Sequence, residues 1–195
     1  MRIDIAVYDG FDELDAVGPL EVLRSAAASG ADLAVRLVSL TGAPVTGAFG
    51  LRLEVDAAYA EPPGILVMTG GGWNARADRG AWGEAQRGEW LDHIRAAHEA
   101  GSVLAGVCSG TMLIAHAGVI GSRRATTHHG AHADLAATGA TVLTDRVVDG
   151  DDLVTSGGVT SGIDLALWLV ERYCGRALAD TCAERMEYPR ARPAQ

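Results

Sequence analysis

The sharpest local feature of the chain is residues 103–111, Val103-Leu104-Ala105-Gly106-Val107-Cys108-Ser109-Gly110-Thr111. An apolar strand stops at a cysteine, small residues follow, and a helix begins. This order is typical of a strand-to-helix turn that lifts a side chain above the carboxyl edge of a sheet. Gly106 and Gly110 leave room for a strained turn and for a closely packed helix. The stretch therefore predicts an α/β sheet with Cys108 at its carboxyl edge.

Strands alternate with helices along the rest of the chain. The pattern predicts strands over residues 2–8, 33–40, 65–69, 102–107, 124–128, 141–148 and 152–156, and a small hairpin over residues 44–55. It predicts helices over residues 17–28, 84–100, 110–118 and 130–138, one from Thr160 or Ser161 to about Tyr173, and a short helical tail. Because the connections are short, we expect one domain over residues 1–195. Its sheet should be mostly parallel and lie between two helical layers, as in a three-layer α/β/α sandwich.

Composition restricts the possible partners. The net charge is −9 and the pI is about 5.0, so the electrostatic field repels phosphate backbones and argues against a nucleic-acid partner. The N-terminal apolar run is short and contains charges, which argues against a signal peptide and a membrane span. The three cysteines show no CxxC spacing, so we expect neither a disulfide framework nor a zinc site. A reducing cytoplasm is the expected compartment.

The sequence around Cys108 allows two interpretations. A free cysteine at a strand end is often a small buried apolar residue. Alternatively, free N–H groups and the dipole of the next helix lower the thiol pKa and make Cys108 reactive. Two other segments favour a site: Thr69-Gly70-Gly71-Gly72, whose bare amides suit an oxyanion hole, and Leu14–Pro19, which carries Asp15. All three segments follow strands, and ligands of open α/β sheets bind at that edge.

Together these segments resemble the DJ-1/PfpI superfamily, which has a flavodoxin-like fold related to class I glutamine amidotransferases. The resemblance spans nearly the whole chain and is carried by LDAVGP at 14–19, TGGG at 69–72, GVCSGTMLIAHAGVI at 106–120, RATTHH at 124–129 and GGVTSGIDLAL at 157–167. Within the superfamily the chain looks closest to isonitrile hydratases and to the similar sensor domain of some AraC-type regulators. Asp15 stands where DJ-1 has glutamate, and Ser109 stands where protease-like members have histidine. The hydratases more often have Thr at the Ser109 position and Pro at the Thr69 position.

The resemblance implies roles for individual residues. Cys108 would be the nucleophile, Asp15 its acid/base partner, and Ser109 a hydroxyl that holds the site. Gly70, Gly71, Gly72 and His128 would bind the substrate or its developing negative charge. The implied reaction is hydration of an isocyanide to an N-substituted formamide through a covalent thioimidate. Asp15 would protonate the nitrogen side and then act as base for water. No metal or organic cofactor is implied, and a homodimer is expected.

Other readings stay open. Relatives of this kind suggest glyoxalase or deglycase chemistry on small dicarbonyls, and a non-catalytic oxidation or ligand sensor is a third possibility. Peptidase activity is less favoured because no histidine follows Cys108. His128, His129 and His132 lie close in sequence, but no carboxylate or cysteine stands at ligand spacing, which argues against a metal. Trp73 is either a cover for the pocket or an aromatic residue at an interface.

Overall fold

The computed structural model describes residues 1–190 of the chain. Its strands are β1 Arg2–Ala6, β2 Ala34–Ser39, β3 Val45–Thr46, β4 Arg52–Leu53, β5 Ala57–Ala58, β6 Ile65–Met68, β7 Val103–Gly106, β8 Arg124–Ala125, β9 Thr141–Val142, β10 Val147–Asp149 and β11 Leu153–Ser156. Its helices are α1 Glu13–Ala28, α2 Ala81–Arg87, α3 Glu89–Glu99, α4 Gly110–His116, α5 His132–Ala137, α6 Ser161–Cys174 and α7 Arg176–Arg185, with a 3₁₀ turn at His129–Ala131.

A seven-stranded sheet forms the middle layer, in the order β10-β11-β7-β6-β1-β2-β5. Every neighbouring pair is parallel except β10 and β11, which form an antiparallel hairpin. Helices α1, α6 and α7 pack together on one side of the sheet, and α2, α3 and α4 pack together on the other. This arrangement confirms the predicted α/β/α sandwich with a mostly parallel sheet.

The centre of the sheet is apolar on both faces. All four residues of β6 are buried, and so are the apolar residues of β1, because helices cover both faces of a parallel sheet. Since β6 lies between β1 and β7, their carboxyl ends are adjacent. The segments that follow these three strands therefore start side by side at one edge, as the sequence predicts.

The first helix begins earlier than the predicted residue 17. The side chain of Asp12 caps α1 by accepting a hydrogen bond from the N–H of Leu14 at 3.3 Å. Asp15 consequently lies in the first turn of α1, and Pro19 lies inside the helix rather than at its start. Gly162 of α6 allows α1 to approach, because a Cβ there would lie 3.3 Å from the ring of Pro19.

Other boundaries also differ from the sequence prediction. The predicted helix over 84–100 is two helices, because Gly88 at φ +83° ends one and starts the next. The predicted strand over 141–148 is divided between β9, which pairs with β8, and β10, which joins the main sheet. The predicted strand over 124–128 stops at Ala125, and the predicted helix over 130–138 begins as a 3₁₀ turn. Among residues 1–190, no helix combines the length and apolarity needed to cross a bilayer.

Candidate functional site

Cys108 occupies the strand-to-helix turn in a left-handed backbone conformation, with φ at +53°. Such a conformation costs on the order of 1–3 kcal/mol for a residue with a side chain, so the surroundings must hold it in place. The N–H of Cys108 donates to the carbonyl of Gly157 at 3.0 Å, and its carbonyl accepts from Thr127 Oγ1 at 2.7 Å. These bonds fix the turn from the side of β11 and from the segment after β8.

Asp15 lies beside this turn with no exposed surface. The N–H of Gly70 donates to its Oδ2 at 2.8 Å, and within residues 1–190 its buried Oδ1 has no hydrogen-bond partner of ordinary geometry. Burial raises the pKa of Asp15 well above its usual range, and the neighbouring Asp12 adds to this; the Gly70 N–H and the Cys108 thiol act in the opposite direction. Burial therefore favours the protonated form of this carboxyl.

The Cys108 thiol is also held in its neutral form. Burial first, and then the charge of Asp15, raise its pKa to about 12, while the backbone N–H groups of Val159 and Ser109 act in the opposite direction. This corrects the sequence expectation of a lowered thiol pKa. Only 5% of Cys108 is exposed, and the loss of hydration outweighs the stabilisation that nearby N–H groups give to a thiolate. Burial thus favours the neutral forms of both the Cys108 thiol and the neighbouring Asp15 carboxyl.

Ser109 and the glycine run are tied together. The N–H of Gly71 donates to Ser109 Oγ at 2.9 Å. A Cβ on Gly70 would lie 2.6 Å from the N of Ser109 and 2.8 Å from Asp15 Oδ2, so only glycine fits there. The amides of Gly70 and Gly71 are thus bonded to Asp15 and Ser109 in this structure. Their role as an oxyanion hole stays a prediction.

A pocket of about 220 Å³ opens above Cys108. Its wall is formed by Asp12, Gly71, Gly72, Trp73, Asn74, Ala75, Cys108, Ser109, His128 and Val159. Among the predicted site residues, Cys108, Ser109, Gly71, Gly72 and His128 reach this pocket, whereas Asp15 and Gly70 lie behind its wall. A larger cavity of about 450 Å³, beside Tyr8 and Trp90, does not include Cys108.

His128 is held in one tautomer by its neighbours. Its Nδ1 accepts from the N–H of Gly130 at 3.1 Å and lies 3.3 Å from the amide nitrogen of Asn74. Because a backbone N–H can only donate, Nδ1 is an acceptor and the ring proton sits on Nε2. Burial first, and then His129 and His132, lower the pKa of His128. The ring is therefore a neutral donor at the pocket wall.

Trp73 forms a fixed wall of the pocket rather than a cover. It is buried, and its Nε1 donates to Asp134 Oδ2 at 2.7 Å. Its ring makes edge contacts with Trp82 and His116, with centroid distances of 5.1 and 5.0 Å. These contacts anchor the indole beneath the loop that follows the glycine run.

Five residues of the site were not predicted from the sequence: Asp12, Asn74, Ala75, Thr127 and Val159. Asp12 was not considered as a helix cap because the first helix was predicted to start at residue 17. Thr127 lies inside the RATTHH segment, and the family resemblance of that segment could have identified it. No local sequence pattern distinguishes Asn74. Val159 adopts φ +34°. Because a positive φ is rare for a β-branched residue, the sequence gives no reason to expect it there. No cluster of three or more metal-ligating side chains occurs in the part of the chain that the structure describes.

Comparisons with known proteins place this site in context. Isonitrile hydratase from Pseudomonas putida is 32% identical over 195 residues, which cover 99% of this chain and 81% of that protein. The HTH-type transcriptional regulator CdhR of Pseudomonas aeruginosa is 31% identical over 192 residues, covering 95% of this chain and 54% of the regulator. The crystal structure of a ThiJ/PfpI family protein from Pseudomonas syringae superposes with a TM-score of 0.85 at 26% identity, covering 100% of this chain and 77% of that chain.

The family assignment rests on sequence and structure together. Residues 1–172 match the model of the DJ-1/PfpI family, which is most of the chain. The matched region contains β1, β6 and β7 and every residue of the pocket above Cys108. This chain therefore belongs to the DJ-1/PfpI family.

Proposed function

We propose that this protein hydrates an isonitrile, R–NC, to the N-substituted formamide, with Cys108 as the nucleophile. The observation that carries the proposal is the pairing of the Cys108 thiol with the Asp15 carboxyl beneath a pocket of about 220 Å³. The 32% identity to isonitrile hydratase over nearly the whole chain supports the choice of substrate class. The proposal concerns a small substrate, because the pocket is small.

The first step forms one bond from sulfur to carbon and one from hydrogen to carbon. The terminal carbon of an isonitrile holds a lone pair and accepts a nucleophile at the same atom. Asp15 gives its proton to that carbon, Cys108 sulfur bonds to it, and the thiol proton passes to Asp15. The product is the thioimidate R–N=CH–S–Cys108, and Asp15 ends as it began. The electron count therefore places the first proton on carbon rather than on the nitrogen side.

The second step adds water and releases the product. Water oxygen bonds to the thioimidate carbon, and a proton from the water reaches nitrogen, which gives R–NH–CH(OH)–S–Cys108. The carbon–sulfur bond then breaks as the hydroxyl proton moves to sulfur, and the formamide R–NH–CHO leaves. A thiol of raised pKa is a poor leaving group as an anion, so protonation of sulfur is essential in this step.

The neutral state of the site suits this chemistry. A protonated carboxyl beside the thiol provides general acid catalysis at the atom that sulfur attacks. His128, a pocket-wall residue whose ring proton is on Nε2, is our candidate donor to the oxygen of the formamide. The held turn at Cys108 supplies orientation, which lowers the entropic part of the barrier.

The test compares Cys108→Ala with Cys182→Ala. Cys182 is an equally buried cysteine in α7, outside the pocket, so it is a matched control for loss of a buried thiol. With an aryl isonitrile, we expect the wild type and Cys182→Ala to produce formamide, and Cys108→Ala to fall to the uncatalysed rate. Formamide production by Cys108→Ala at the wild-type rate would contradict the mechanism.

A parallel assay with methylglyoxal distinguishes isonitrile hydration from glyoxalase activity. Lactate without formamide would favour glyoxalase chemistry. Neither product, with rapid oxidation of Cys108 by peroxide, would favour a sensor instead. We expect slow oxidation, because peroxide reacts with the thiolate rather than with the thiol, and a pKa of about 12 leaves little thiolate at neutral pH.

A further inference from the structure

A second carboxyl group, that of Asp12, faces the pocket from the start of α1. It is half-buried and forms part of the pocket wall together with Cys108, Ser109 and His128. Asp15 does not form part of that wall. Among residues 1–190, Asp12 makes no ion pair, so its charge is not used by a salt bridge in the fold.

The backbone fixes Asp12 against the glycine run. Its N–H donates to the carbonyl of Gly70 at 2.9 Å, and a Cβ on Gly71 would lie 2.6 Å from that same nitrogen. The side chain caps α1 through Oδ1, which accepts from Leu14. A cap of this kind uses one carboxylate oxygen and leaves the other for water in the pocket.

The two carboxyl groups differ in what they can reach. Asp15 has no exposed surface, and its Oδ2 is held by Gly70 behind the thiol. Once a thioimidate forms on Cys108, the reacting carbon projects from sulfur into the pocket. Water must then approach from the open side, where Asp12 lies and Asp15 does not.

We infer that Asp12 is the general base that activates water for attack on the Cys108 thioimidate, an inference that rests on the proposed function. Asp15 serves the first step, and Asp12 serves the second. Water oxygen bonds to the thioimidate carbon as Asp12 takes one proton from the water, and Asp12 then gives that proton to nitrogen. Collapse breaks the carbon–sulfur bond while the hydroxyl proton passes to sulfur, so Asp12 ends as a carboxylate.

The charges around Asp12 fit this role. Burial raises the pKa of Asp12 above its usual value, and Glu13 raises it further; the Leu14 N–H and His128 act in the opposite direction. Asp15, one turn along the same helix, is a further acid close to Asp12. A carboxylate whose pKa lies closer to neutrality is a stronger base towards water than an ordinary surface aspartate.

Asp12→Asn removes the base and keeps the helix cap, because asparagine caps helices as well as aspartate does. We expect formamide turnover to fall by about 100-fold or more, the usual effect of losing a general base. We also expect the peptide containing Cys108 to gain the mass of the isonitrile, measured by mass spectrometry after rapid quenching. Asp12→Ser, which also keeps a capping oxygen, should accumulate the same adduct. Asp15→Asn should lose turnover without accumulating it.

The matched control is Glu13→Gln. It removes the same charge from the adjacent residue, whose Oε1 accepts from the N–H groups of Phe49 and Leu51 outside the pocket. We expect this variant to turn over within a few-fold of the wild-type rate, because the Glu13 charge is a smaller influence on the pKa of Asp12 than burial and Asp12 itself remains. In the wild type, the rate of thioimidate breakdown should fall as Asp12 becomes protonated at acidic pH, and Asp12→Asn should lose that dependence.

The outcomes separate the two proposals. If the wild type makes no formamide, the proposed function fails and this inference fails with it. If the wild type makes formamide and both Asp12 variants match it, only the assignment of Asp12 is overturned. Loss of turnover in folded Asp12 variants without any adduct would likewise overturn the assignment, since Asp12 would then act before the thioimidate forms.

Discussion

Gly110→Ala is the substitution that most directly tests how the turn at Cys108 is built. Gly110 is the first residue of α4, and a Cβ there would lie 2.1 Å from the carbonyl oxygen of Met68 and 2.7 Å from that of Thr69. Relaxed contacts of a carbon atom lie at about 3.5 Å, so the start of α4 would have to move by more than about 1 Å. Both obstructing atoms are backbone oxygens, one in the last residue of β6 and one in the residue that follows it, so they cannot rotate away as a side chain would.

The expected cost follows from that overlap. Overpacking typically destabilises by about 1–3 kcal/mol, and an overlap with backbone belongs at the upper end of this range. Alanine recovers at most about 1 kcal/mol through its higher helix propensity, and less at a helix terminus. We therefore expect the free energy of unfolding to fall by about 2 kcal/mol, which is a drop of roughly 4–8 °C in Tm for a chain of this size.

Urea denaturation followed by circular dichroism measures this difference, with Gly150→Ala as the control. Gly150 also lacks a positive φ, and a Cβ there would meet nothing closer than 3.4 Å. Gly150→Ala should unfold within about 0.5 kcal/mol of the wild type. Equal stability of Gly110→Ala and Gly150→Ala would contradict this prediction, because it would mean that α4 does not pack tightly against the end of β6.

Two further predictions concern the polar groups of the site. Ser109→Ala should lower kcat by about 10-fold, because the Gly71 N–H loses its acceptor at a cost of about 1–3 kcal/mol. Ser109→Thr keeps a hydroxyl and should therefore keep its activity. Steady-state kinetics with an isonitrile measures both variants. Asp15→Asn should raise the free energy of unfolding at pH 7, since the raised pKa of Asp15 means that its ionisation opposes folding. That gain should shrink as the pH falls through the raised pKa and vanish below about 4, where Asp15 is protonated in both states. A stability gain of Asp15→Asn that stays constant between pH 7 and pH 4 would contradict this prediction.

The sequence predicted the layout of the sheet because hydrophobic runs and glycine turns are local signals. The strands through residues 65–69 and 102–107 were found almost to the residue, and Cys108 was placed correctly between strand and helix. The hairpin over 44–55 was found as well. These elements share one property: the pattern that predicts them lies within the element itself.

The boundaries that were wrong depend on contacts between distant segments. The start of α1 depends on the Asp12 cap, which the Gly18-Pro19 pair concealed by suggesting a later start. The strand predicted over 124–128 ends early because Thr127 turns to bond the carbonyl of Cys108. The pKa shift at Cys108 was also predicted in the wrong direction for this reason. The sequence shows that a helix begins next to Cys108, but the burial that raises its thiol pKa comes from segments distant in the chain.

The corrected electrostatics change which chemistry the site favours. A sensor of oxidants needs an exposed thiolate, and Cys108 is buried with a pKa near 12. An isonitrile has a different requirement, because one carbon atom must receive both a proton and a nucleophile. In the proposed mechanism the Cys108 thiol supplies the nucleophile, and the protonated form of Asp15, which burial favours, supplies the proton. The burial that suppresses thiolate formation also favours the protonated form of Asp15, so in the proposed addition a single physical cause acts on both partners.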